Sequence, residues 1–162
     1  MNGAHAHLLV NHFPIFGLFF GLILLSASLV IRQKSLKVAG LLLILVSVVA
    51  TPIANITGEE AEKVVERKGP GIHELAHEHE EAGEIALWIM VIVGVLAGGS
   101  LALIQRSHPR RHQLITLTLG VGGLALIWMI QVANLGGRIS HPEIRRGYTP
   151  VDTPVLPAQT TD

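Results

Sequence analysis

"NHFPIFGLFFGLILLSASLVIRQK", residues 11–34, has no charged side chain between Phe13 and Ile31. An uncharged run of this length approaches the roughly 20 residues that a helix needs to cross a bilayer core. Three more such runs follow, at Val38–Gly58, Ile85–Gln105 and Leu114–Gly137. The sequence therefore predicts an all-α integral membrane protein, a four-helix bundle with spans at about 12–31, 38–57, 84–105 and 113–136. A polar helical loop over 58–83 joins the second span to the third. One transmembrane domain covers 1–147, and a proline-bearing tail, 148–162, reads as flexible.

Composition agrees with the spans. The chain of 162 residues is 49% hydrophobic and 15% charged, with formal net charge zero. No global field recruits nucleic acid, so the lipid bilayer is the first expected partner. There is no cysteine, which excludes disulfides, thiolate metal sites and covalently attached haem.

Charge sets the expected orientation. The connection with Arg32, Lys34 and Lys37 has no acid, and neither has the one with Arg106, Arg110 and Arg111. Short, purely basic loops face the cytoplasm. Glu59 to Glu84 holds nine acids against Lys63, Arg67 and Lys68, and is expected on the other side. The spans then run up-down-up-down with both termini outside, as in a bacterial inner-membrane protein whose outer side is periplasmic. Within that outer loop, Thr57-Gly58-Glu59-Glu60 fits a capping box and predicts a helix start. Gly69-Pro70-Gly71 predicts a break, with a polar helix from about Ile72 running into the third span.

Two stretches share a template. "IANITG" (53–58) closes the second span and "VANLGG" (132–137) closes the fourth. Both odd spans are entered from histidine-bearing stretches. The pattern suggests two tandem helical hairpins related by an axis along the membrane normal. Gly17 with Gly21, and Gly94 with Gly98, form GxxxG pairs suited to close helix approach.

Nine histidines are many for this length. His5, His7, His12, His73, His77, His79 and His141 all fall on the predicted outer side, whereas His108 and His112 lie in a cytoplasmic loop as solvated residues. Convergence from three chain regions points to a shared metal or haem site, since imidazole ligates both. His12 is nearest the apolar run, where polar groups tend to face a bundle interior. Across the proposed axis, His12 is expected to face His77 or His79, with Asn55 and Asn134 flanking. His7 lies about 140° from His12 on an ideal helix, so both serve one site only if the helix start is irregular. His7 and His141 are thus candidates for a second site or for orienting the first. "HELAH" (73–77) is a literal HExxH. It sits in a stretch crowded with His and Glu, and no glycine-spaced third histidine follows, so a peptidase is not expected.

"HLLVNHFPIFG" (7–17) resembles the opening of a bacterial family of four-helix membrane proteins of unknown function, with Leu8 where proline is usual. Further likeness lies at Thr57-Gly58, at the histidine before the third span, and in "LGGRISHPEI" (135–144). The resemblance implies b-type haem, or a place beside electron-transfer proteins, and points to His7, His12, His79 and His141.

Three readings follow. The first is a membrane protein carrying haem b on histidines and passing electrons near the outer face to a periplasmic or membrane redox partner. The second is binding or transport of a non-haem ion, such as zinc, iron or copper, by the outer His/Glu cluster. The third is a cofactor-free assembly subunit, with a homo-oligomer among its expected forms.

Overall fold

The computed structural model describes residues 3–65 and 70–145. Five helices carry them: α1 (Gly3–Val10), α2 (His12–Ile31), α3 (Lys34–Val65), α4 (Pro70–Gln105) and α5 (Arg111–Ser140). A short 3-10 turn at Pro142–Ile144 closes the described chain. The last four helices provide four segments long and apolar enough to cross a membrane, the first reaching back through α1 to His5. No strand occurs among the described residues. The expected tail, 148–162, lies outside them.

The histidine stretch before the first span forms a short helix of its own. This is α1, which ends at Val10, with Asn11 in a turn before α2. Pro14 supplies the physical reason. It has no N–H for the carbonyl of Val10, so the helical ladder lapses there. Asn11 N–H still bonds the His7 carbonyl at 2.9 Å. An eight-residue helix is not stable alone, and α1 packs on α3 and α2.

The expected helix start at Thr57 is a correction. α3 continues through Thr57 to Val65. The Thr57 hydroxyl bonds back to the carbonyls of Ile53 (2.9 Å) and Ala54 (3.0 Å), as hydroxyls do inside helices. The polar segment between the second and third spans is therefore in part an extension of the second span. The expected break at Gly69-Pro70-Gly71 lies partly outside the described residues, and α4 runs unbroken from Pro70 into the membrane segment, starting two residues before the expected Ile72. Proline is well placed at a helix start, where no N–H is needed.

At the opposite end the connections are tight. Arg32, with φ 58°, ends α2, and Ser107, with φ 52°, ends α4. Ser107 occupies the left-handed position of a Schellman motif, in which His108 N–H reaches the Leu103 carbonyl at 3.0 Å.

Consecutive helices pack on one another, and α2 against α5 closes the ring. The core is Leu18, Leu25, Leu41, Ile44, Met90, Val93, Ala97, Ile115 and Ala125. Buried Ser28, Ser47, Thr51, Ser100 and Thr118 join it, while Val30, Trp88, Val95 and Leu124 are exposed. Hydroxyl-bearing residues lie among the buried positions of this apolar core, while large apolar residues also cover the outside, as a lipid solvent allows. Lipid tails give no hydrophobic drive for helix association, so close packing and interhelical hydrogen bonds hold the bundle. Ser47 donates to the Pro14 carbonyl across α3 and α2, and Ser100 and Thr118 bond across α4 and α5 at 3.0 Å.

Glycines set the closest approaches. A Cβ on Gly40 would lie 2.8 Å from both the Gly21 carbonyl oxygen and the Leu25 nitrogen, which are backbone atoms. Gly21 and Gly17 face α3, as the first GxxxG pair implies. The second pair is used only by half. Gly94 meets Val48, whereas Gly98 borders open space.

Candidate functional site

The structure brings His7 and His79 together. Their ring centres lie 6.3 Å apart with planes at 79°. His7 arrives on α1 and His79 on the polar lead of α4. Both are partly buried.

Each ring is held in the same way. His7 Nδ1 is 3.0 Å from the Ala54 carbonyl of α3 and 3.3 Å from the Thr57 hydroxyl. His79 Nδ1 is 3.0 Å from the Val132 carbonyl of α5. A carbonyl can only accept, so each Nδ1 carries the proton and each Nε2 keeps its lone pair. Among the described residues neither Nε2 makes a hydrogen bond. This is the tautomer that metal-ligating histidines are set in when a backbone carbonyl orients them.

A glycine seats each ring. A Cβ on Gly58 would lie 3.3 Å from His7 Cε1, and one on Gly136 would lie 3.0 Å from His79 Cε1. In both cases the accepting carbonyl belongs to the residue four positions before the glycine. The two hairpins thus repeat one device: glycine, carbonyl and incoming imidazole. The letter match between "IANITG" and "VANLGG" pairs Gly58 with Gly137. The geometry instead pairs Gly58 with Gly136, one residue earlier.

Asn11 adds a polar group one turn after His7. Its Oδ1 is buried and has no hydrogen-bond partner among the described residues. A buried amide oxygen left in this way is costly, and a bound group with a donor would satisfy it.

The other sequence-predicted residues are dispersed. His12 is exposed and stacks on Phe16, with ring centres 6.1 Å apart, rather than facing α4. His77 is exposed near Glu80 and Glu81. Asn55 donates to the Gly83 carbonyl at 3.3 Å and ties α3 to α4. Asn134 borders a different cavity of about 350 Å³ with Gln131, Arg138 and Ile144. His141 pairs with Glu143 at 2.9 Å on the surface. The Glu143 carboxyl is held below its usual range by its own backbone N–H and by that imidazole. Residue type alone did not single out Gly58, Gly136 and Thr57 as seats for the rings. The only sequence signal was the shared template that contains them.

No protein-family profile, curated protein or solved structure matches this chain.

Proposed function

We propose that the chain is a membrane-embedded bis-histidine haem b protein that passes electrons near its outer face, with His7 and His79 as the two ligands. The observation that carries this reading is the pair itself. Two imidazoles come from separate helices, each with Nδ1 committed to a carbonyl and Nε2 left over. His7 and His79, with ring centres 6.3 Å apart, would be the residues that hold the haem, each through the nitrogen its carbonyl leaves over. The donor set fits the group: two imidazole nitrogens, no thiolate, and a glycine beside each ring.

When bound, haem supplies reversible one-electron chemistry at its iron. The protein's part is positional. The Ala54 and Val132 carbonyls fix both rings and raise their basicity through the Nδ1 protons. The apolar bundle below excludes water from one side. In this reading the helices alternate up and down in a bacterial inner membrane, the basic loops are cytoplasmic, and the pair lies toward the periplasm. The resemblance to the four-helix family opening with "HLLVNHFPIFG" points the same way.

Absorption spectra of the purified protein, oxidised and reduced, test the proposal. A Soret and α-band pair is expected. It should be lost or become five-coordinate in His7→Ala and in His79→Ala, and persist in His12→Ala and His141→Ala. A colourless protein with a bound metal that is lost in His7→Ala and His79→Ala would replace haem with a non-haem ion at the same pair. A colourless, metal-free protein would remove the cofactor altogether.

A further inference from the structure

We propose that Glu62, His77 and Glu80 form a second metal site, for a single divalent transition-metal ion, which clasps the outer end of α3 to the start of α4. One ligand atom from each of the three residues lies within 4.8 Å of the others. Glu62 comes from α3, and His77 and Glu80 lie one turn apart on α4. Ligands about one bond, roughly 2.0–2.2 Å, from a common ion are brought into place by small rotations of such side chains.

The two nitrogens of His77 are already differentiated. Nδ1 faces Glu80 at 3.7 Å, and Nε2 faces Glu81 at 3.4 Å. One nitrogen can take the ion while the other gives its proton to a carboxylate, the carboxylate–histidine–metal arrangement of many ion sites. The residues border a cavity of about 390 Å³, which Glu59, Lys63 and His73 also line. His73 precedes His77 by four residues and supplies a further imidazole to that cavity. This gives the HExxH stretch a role without peptidase chemistry. Its two histidines border the cavity, and the carboxylates come from Glu62 and Glu80 rather than from Glu74. Mixed imidazole and carboxylate ligands suit zinc, iron or manganese. An ion here joins the last turns of α3 to the first turns of α4, so it stabilises their apposition. The site shares no ligand with the His7–His79 pair and does not depend on haem.

The test is titration of the purified full-length protein in detergent with Zn²⁺ alone, followed by calorimetry, and with Mn²⁺ as a second probe. Wild type is expected to bind one ion, and Glu62→Gln, His77→Asn and Glu80→Gln should each weaken that event at least tenfold. His7→Ala and His79→Ala should leave it unchanged. Zn²⁺ should raise the melting temperature of wild type and not of Glu62→Gln, whose circular dichroism should match wild type. Absence of stoichiometric binding by wild type would overturn the proposal. So would equal binding by all three variants, or loss of the event in His7→Ala and His79→Ala alone.

Discussion

Gly136→Ala separates the ligand site from the stability of the fold. The added methyl would stand 3.0 Å from His79 Cε1 and 3.4 Å from Nε2. Carbon atoms in contact prefer about 3.5–4.0 Å, so the ring must retreat by roughly half an ångström. The Nδ1–Val132 bond, now 3.0 Å, then lengthens to about 3.5 Å, beyond a good hydrogen bond. Losing it removes about 0.5–1.5 kcal/mol, which is roughly a two- to tenfold drop in affinity for whatever His79 ligates. Alanine in place of glycine meanwhile favours the helix by about 1 kcal/mol. The two effects fall on different observables. Haem or metal affinity should fall, while the melting temperature of the ligand-free protein stays nearly level, the lost hydrogen bond and the gained helix propensity offsetting each other. Gly58→Ala, with 3.3 Å to His7, should show the same split more weakly. Gly98→Ala, which meets nothing within 4 Å, should stabilise without touching affinity. The assay is spectral titration of haem-depleted protein, paired with thermal unfolding in detergent. Unchanged affinity in Gly136→Ala, or an equal loss in Gly98→Ala, would refute the reasoning.

Gly40→Ala should behave oppositely, because its Cβ would strike backbone atoms of α2 at 2.8 Å. Overpacking of that kind destabilises by about 1–3 kcal/mol, measurable as a lowered unfolding midpoint in mixed detergent. Ligand binding at the His7–His79 pair should fall with pH, since a proton on Nε2 competes with the metal. Nδ1 is already protonated, so release takes up one proton per histidine. Full occupancy is expected at pH 8 and loss as pH drops below the ordinary imidazole range of about 6.5, followed by the Soret band or bound metal. For topology, a cysteine at exposed Glu78 should label with an impermeant thiol reagent in intact cells, and one at exposed Ser35 should not. The reverse labelling would place the histidine pair on the cytoplasmic side.

The sequence by itself determined that the chain is helical with four segments apolar enough to cross a membrane. Four uncharged stretches can satisfy their backbone groups in lipid only as helices, and that constraint acts locally along the chain. It also led to the expectation that seven of the nine histidines share one side, because the charges separating the spans are local too. Which histidines meet was settled by the tertiary structure. His12 carried the stronger sequence argument, yet His7 and His12 lie about 140° apart around an ideal helix, and it is the His7 side that packs on α3. His79 and His77 are two residues apart, and only the packing of α4 on α5 puts one beside the Val132 carbonyl and leaves the other on the surface. The glycine seats were legible as a repeated motif but not in register. The shift from Gly137 to Gly136 depends on the rotation of one helix against another, a long-range quantity that no short stretch of residues encodes.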